Sequence, residues 1–164
     1  MRTHKLSLIA LALAVCGTAN AGMLVGNKAM VEAPITVSAT NNTSVTWTAE
    51  TLGTDGFSDE QKLGTLTITA TGAHDAINIT GEGALLDSGN IVTLPFKDEQ
   101  GTPQFKGRIM SATQLGNSGI DNQPGWKVAS SAENVSVEVK AYGEKNSLNP
   151  GIYSAKFYVQ QWQN

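Results

Sequence analysis

The chain has 164 residues, a formal net charge of −3 and only 15% charged residues, whereas about 25% is usual in a soluble domain. This length is sufficient for one domain with its own core. Because binding to nucleic-acid phosphates depends on clusters of Lys and Arg, the mildly acidic composition argues against a nucleic-acid partner.

The N-terminus has the organisation of a secretory signal peptide. A short basic segment precedes an apolar stretch, and the small residues Ala19 and Ala21 stand three and one positions before Gly22. This order is typical of export signals, whereas a membrane span needs about 20 apolar residues. We predict that residues 1–21 are removed after Ala21 and that the mature chain begins at Gly22.

The single cysteine, Cys16, lies inside this predicted signal peptide. A lipoprotein signal with Cys16 as the lipidated residue is disfavoured, because the preceding Val15 is bulky. The mature chain is therefore expected to enter a compartment where disulfides form and to use none. Its stability must come from packing or from a partner.

The leading part of the mature chain alternates apolar and polar residues from Met23 to Ala39. At about 3.3 Å per residue this run would extend about 55 Å, well beyond a usual strand of about 20 Å. Pro34 cannot donate a ladder hydrogen bond and is confined to edges or strand starts. It divides the run into a leading segment, 23–31, and a first body strand, 35–40.

The rest of the chain also alternates with a period of two, and no convincing helical period is present. The alternating stretches lie at 65–71, 77–79, 92–96, 135–141 and 153–160, and turn signals lie at 41–42, 53–56, 81–83, 88–90, 99–101, 123–125 and 149–151. About seven short strands separated by such turns predict an antiparallel β-sandwich of immunoglobulin type. A barrel of similar strand number is the alternative.

The last predicted strand follows Gly151 and ends the chain. Its apolar residues are Tyr153, Ala155, Phe157 and Val159. Counting strands leaves an immunoglobulin-like sandwich without its last strand, while the front of the chain carries one strand too many. An open groove would expose core side chains and unpaired backbone groups, so the leading segment either folds back into its own groove or is donated to a neighbour. Donation makes a head-to-tail contact that produces filaments.

Several stretches together resemble the major fimbrin of the SEF type, found in thin enterobacterial fimbriae that are assembled by a periplasmic chaperone and an outer-membrane usher. They are 25–29, 64–72, 105–109, 119–121, 125–131 and 157–161. Gly151 also matches the family's C-terminal glycine, which precedes an alternating strand. Trp162 matches the aromatic residue near the end of that strand.

This resemblance implies an all-β, immunoglobulin-like sandwich that lacks its last strand and is completed by an N-terminal donor strand from a neighbouring subunit. The implied domains are a signal peptide (1–21), a donor-strand extension (22–32) and an incomplete pilin domain (33–164). The implied donor face is Met23, Val25, Asn27, Ala29 and Val31. The implied acceptor groove and C-terminal strand contain Gly151, Tyr153, Ala155, Phe157 and Val159.

The resemblance further implies a non-enzymatic structural subunit that is exported through the periplasm to a surface fimbria and contributes to host-cell adhesion. Its partners would be identical subunits, a periplasmic chaperone, an outer-membrane usher, a tip adhesin and a host surface, with no cofactor. The alternative is a secreted monomeric β-sandwich that binds a glycan or a host protein.

Catalytic and metal-binding interpretations are weak by comparison. His74 is the one histidine after the predicted cleavage site, and we interpret it as a solvated loop residue. Asp55, Asp59 and Glu60 lack the alternating oxygen spacing of a calcium loop and are interpreted as a solvated acidic loop. Core packing explains the tryptophans and tyrosines more simply than a sugar-stacking platform does.

Overall fold

The computed structural model describes residues 41–164 together with Ala33 and Ile35. The strands are β1 (Asn42–Ala49), β2 (Lys62–Thr71), β3 (Ala76–Gly81), β4 (Leu85–Asp87), β5 (Ile91–Lys97), β6 (Pro103–Arg108), β7 (Thr113–Gly116), β8 (Gly125–Ala129), β9 (Asn134–Tyr142) and β10 (Phe157–Trp162). Within 41–164, helical structure is limited to 3₁₀ turns at Ser88–Asn90 and Ile120–Asn122. None of the helices in this part of the chain is long and apolar enough to span a membrane.

The strands form two antiparallel sheets. One has six strands in the order β1-β2-β9-β6-β5-β4, and the other has four in the order β10-β3-β8-β7. The predicted antiparallel sandwich is thus confirmed over the barrel alternative. The structure has more than the expected seven or so strands, because short pieces such as β4 and β7 are too brief to show a periodic pattern.

The core lies between the two sheets and follows the predicted alternation. In β2, Leu66 and Ile68 are buried while Thr67 is exposed. In β9, Val137 and Val139 are buried in the same way. Because side chains on a strand point alternately to opposite faces, β2 and β9 each contribute one apolar row to the core.

The second sheet contributes its own apolar row. Ile77 and Ile79 of β3 and Trp126 of β8 are fully buried. Ile79 stands opposite both Trp126 on one side and Val159 of β10 on the other. The second sheet is therefore anchored to the core through its two central strands, β3 and β8.

The C-terminal strand begins later than the alternation suggested. The pattern predicted one strand over 153–160, whereas β10 starts at Phe157. The preceding Ser154 instead exchanges backbone hydrogen bonds of 2.9 and 2.8 Å with Lys97, at the end of β5 in the other sheet. The segment crosses between the sheets, and its side-chain alternation continues through the crossing.

The turns behave largely as their composition predicts, with one exception. In the β5–β6 hairpin, the Asp98 carboxylate accepts hydrogen bonds from the backbone N–H groups of Thr102 (2.8 Å) and Gln100 (3.0 Å). These bonds, led by that from Thr102, hold the pKa of Asp98 below its ordinary value. The exception is the pair at 41–42, where β1 begins instead of a turn.

Candidate functional site

The two sheets have neighbouring edges that lack a strand partner within residues 41–164. β1 is the first strand of the six-stranded sheet and β10 is the first strand of the four-stranded sheet. Each pairs on one side only, β1 with β2 and β10 with β3. We call the space between these two strands the β1–β10 groove.

The β10 side of the groove presents a row of apolar side chains. The row consists of Tyr153, Ala155, Phe157 and Val159, all partly buried against the core. Tyr158 points the other way and is 50% exposed. The sequence-predicted acceptor side chains therefore line one edge of the sandwich, while Gly151 lies in the exposed loop before them.

The β1 side contributes Trp47, which sequence reasoning did not assign to this site. Its ring stacks on Phe157 with centroids 5.8 Å apart and lies 6.4 Å from the Phe96 ring. Trp47 is nevertheless 38% exposed and Val45 is 39% exposed. Large apolar groups on a core-facing row are normally covered, so this edge exposes more apolar surface than such a row usually does.

The two ends of the groove differ. At one end, the Gln161 side chain donates hydrogen bonds to the backbone carbonyls of Asn42 (2.9 Å) and Thr71 (2.8 Å). At the other end, between Ala49 and Tyr153, a cavity of about 410 Å³ opens. The groove is therefore closed at the end of β10 and open at its start.

Aromatic side chains form one wall of this cavity. Phe96 stacks on Phe105 at 5.1 Å, and Phe105 lies 5.4 Å from the Tyr153 ring. Trp47 and Leu63 also line the cavity. Such a concave apolar wall suits an apolar side chain better than a charged one.

Ion pairs hold the crossing segment that leads into the groove. The Glu82 carboxylate lies 2.7 Å from Lys156 Nζ and 3.3 Å from Lys97 Nζ. The Glu82 backbone N–H also donates to the Lys156 carbonyl at 3.0 Å. Hydrogen bonding to Lys156, and then to Lys97, holds the pKa of Glu82 below its ordinary value of 4.5.

The N-terminal predictions lie outside the described residues. These are the cleavage residues Ala19, Ala21 and Gly22 and the donor face Met23, Val25, Asn27, Ala29 and Val31. They remain predictions, and so does the first body strand over 35–40, where only Ile35 is described.

His74 is not the solvated loop residue that the sequence suggested. It is 6% exposed, and its Nδ1 lies 2.9 Å from the Gly72 carbonyl, to which it donates. The neighbouring Asp75 carboxylate instead accepts a hydrogen bond from the Asn164 backbone N–H. The turn folds back under the end of β10, so this histidine is buried.

The acidic loop around Asp59 and Glu60 makes contacts that its interpretation as a solvated loop did not predict. Arg108 Nη2 lies 3.4 Å from Asp59 and 3.0 Å from Glu60, and Asp59 accepts a hydrogen bond from the Gly143 backbone N–H. The loop is thus attached to β6 and β9. No group of three or more potential metal ligands occurs within the described part of the chain.

The aromatic residues do not form one shared platform. Trp126 is fully buried in the core, whereas the Lys127 ammonium lies over the Trp162 ring at 3.1 Å. Arg108 lies over the Tyr142 ring at 5.2 Å. Core packing therefore accounts for Trp126, while Trp162 and Tyr142 each lie against a different cationic side chain.

Solved structures of fimbrial and pilus subunits share this fold. The minor tip subunit HdaB of the E. coli Hda pilus aligns with a TM-score of 0.61 and 17% identity, over 74% of this chain and 84% of that one. MyfA, the major subunit of Myf fimbriae from Yersinia enterocolitica, aligns with a TM-score of 0.53 and 12% identity, over 74% and 86%. The chain therefore has the fold of these fimbrial and pilus subunits.

The sequence comparison identifies the family. A family model described as SEF14-like adhesin matches residues 3–164. A "Fimbrial protein" of Salmonella enteritidis is 46% identical over 171 residues and covers 100% of both chains. The chain belongs to the SEF14-like adhesin family and is a fimbrial subunit, which confirms the resemblance found in the sequence.

Proposed function

We propose that the β1–β10 groove accepts residues 22–32 of a neighbouring copy, so that subunits polymerise by donor-strand exchange. The observation that carries this proposal is the pair of adjacent sheet edges with the half-buried apolar row of β10 and the exposed Trp47 between them. A strand inserted there would bury this row and pair with the free edge of β10. Apolar burial and backbone pairing are the two contributions that β-strand addition makes to binding.

The donor segment has the chemistry that this groove requires. Its predicted inward face carries four apolar residues, Met23, Val25, Ala29 and Val31. Burial at up to about 1.5–3 kcal/mol for a large side chain, and less for Ala, amounts to roughly 5–9 kcal/mol before the entropy of ordering the segment. Asn27 is the one polar member of this face, and its two interpretations are that it sets the register at the groove or that it lies at a solvated end.

The same arrangement requires protection before assembly. An unfilled groove of this kind is an aggregation hazard, so we propose that a periplasmic chaperone holds the exported subunit and that an outer-membrane usher assembles it into a surface fimbria. In this account the subunit acts structurally rather than enzymatically. It contributes to adhesion to a host surface, alone or beside a tip protein.

The test places a charge on either face of the donor segment. Val25→Asp or Val31→Asp should block fibre growth while leaving chaperone binding intact, because a carboxylate must be desolvated in an apolar groove. Met30→Asp is the matched control, since it makes the same charge change on the opposite face. It should leave fibre growth intact. Electron microscopy of surface fibres and co-purification with the chaperone provide the two readouts.

Two results would contradict the proposal. Normal fibre growth in the Val25 and Val31 variants would mean that no apolar donor face is buried in the groove, whereas equal loss of chaperone binding and fibres would indicate only a general folding defect. An intact chain that remains a monomer without any chaperone would favour the alternative, in which the leading segment folds back and the secreted sandwich binds a glycan or a host protein.

A further inference from the structure

Trp47 reaches across the β1–β10 groove from one edge to the other. Its ring stacks on Phe157 of β10, with centroids 5.8 Å apart and ring planes inclined by 24°. It also lies 6.4 Å from the Phe96 ring of β5. The Trp47 backbone belongs to β1 and pairs with β2, so at this level of the groove it is the side chain that joins the two edges.

Gly64 lets this ring lie directly on the backbone of β2. A Cβ added at Gly64 would overlap two carbons of the Trp47 indole. The ring therefore has β2 on one side and the Phe96 and Phe157 rings on others, while 38% of the residue remains exposed. Because the ring is already held in place, a partner that covers it loses little binding energy to ordering it.

Val45 provides a comparison on the same strand. It stands opposite Ile68, as Trp47 stands opposite Leu66, so both side chains lie on the inward face of β1. Their exposed fractions are nearly equal, 39% for Val45 and 38% for Trp47. The indole is much larger than an isopropyl group, so Trp47 offers an incoming strand more apolar surface, and offers it on a rigid ring.

We propose that Trp47 is the anchor residue of the acceptor groove, meaning the residue whose contact with the donor contributes most to keeping the donor bound. The inference rests on the proposed donor-strand exchange. A strand inserted between β1 and β10 must cross the Trp47 ring whatever its register or direction, because the ring spans the two edges. A few rigid residues, tryptophan prominent among them, usually carry most of the binding energy of an interface.

The test measures how long a donor peptide stays bound. A fluorescent peptide that copies residues 22–32 is loaded onto the full-length chain purified with its chaperone, and its release is followed in an excess of unlabelled peptide. In Trp47→Ala we expect release on the order of thirtyfold faster, because losses at such residues act mainly on dissociation. Val45→Ala is the matched control and should stay within about threefold of the parent rate.

Two further variants keep the test decisive if Trp47→Ala folds poorly. Trp47→Phe retains an aromatic ring and should keep most of the residence time of the peptide. Gly64→Ala retains Trp47 but displaces its ring, so it should release the peptide about as fast as Trp47→Ala.

Fluorescence separates binding from a role in folding alone. The emission of Trp47, obtained as the difference between the parent and Trp47→Phe, should move to shorter wavelength when the peptide covers the exposed part of the ring. Equal release rates from Trp47→Ala and Val45→Ala, or an emission that binding leaves unchanged, would overturn the inference. Failure of the peptide to bind the parent chain would instead overturn donor-strand exchange itself.

Discussion

Glu82 connects three parts of the chain around the start of the groove. Its carboxylate pairs with Lys156 of the crossing segment and with Lys97 at the end of β5. All three side chains are substantially exposed, where a single ion pair contributes little. Together they bring the crossing segment and the end of β5 to the same carboxylate after β3.

This triad predicts a pH dependence of stability. The pKa of Glu82 is held below its ordinary value of 4.5 by Lys156 and Lys97. Its ion pairs therefore contribute above pH 4.5 and are lost as the pH falls through the lower folded-state pKa. Glu82→Gln should be less stable than the parent at neutral pH, and the difference should narrow below pH 4.5.

Urea unfolding at several pH values measures this effect, with Glu99→Gln in the exposed β5–β6 turn as the control. If the free energies of unfolding of Glu82→Gln and the parent differed by the same amount from neutral pH to well below pH 4.5, the charge of Glu82 would not be involved.

Single polar residues were the least predictable part of the sequence. His74 stands beside Asp75 between turn residues, a composition typical of a solvated loop, and yet it is buried. The next residue, Asp75, contacts Asn164 at the far end of the sequence, and no local pattern reveals that contact. The role of Gln161 likewise depends on Asn42 and Thr71, which are distant in sequence, so no local pattern reveals it.

At the scale of elements, strands covered on one face were predicted well. β2 and β9 each have one buried face and one more exposed face, and this produces a clear alternation of apolar and polar residues. β1 was missed because it is an edge strand whose residues are mostly exposed on both faces. Its Trp47 is the only large aromatic signal in a stretch of Thr, Ser and Asn.

The contact between β1 and β2 predicts how the edge can be disturbed. A Cβ added at Gly64 would overlap the Trp47 ring and lie 2.6 Å from the Thr48 carbonyl. We expect Gly64→Ala to move Trp47 away from Phe157 and to lower the free energy of unfolding by about 1–3 kcal/mol, as overpacking does. Chemical unfolding gives the free energy, and tryptophan fluorescence reports the displacement.

Gly151→Ala is the control, because a Cβ at Gly151 meets nothing within 4 Å, and it should be nearly neutral. If Gly64→Ala were equally neutral and left the fluorescence unchanged, the close packing of Trp47 on β2 would not contribute to the edge.

At the scale of the whole molecule, the sequence predicted an incomplete sandwich, and the described residues contain two sheets with adjacent free edges. The apolar alternation of the core strands and of the C-terminal strand was enough to predict a sandwich, although the number of strands was underestimated and β1 was missed. The different character of the two groove ends could not be predicted. One depends on hydrogen bonds from Gln161, and the other on aromatic side chains from β5, β6 and the crossing segment.

The central claim is that one subunit is completed by the leading segment of the next, and deletion of residues 23–31 tests it most directly. The shortened chain should still be held by the chaperone and should bind a peptide that copies residues 22–32, while forming no fibres. Size-exclusion chromatography of the periplasmic product, with and without the peptide, measures all three properties. Full-length fibres from the shortened chain would contradict the account.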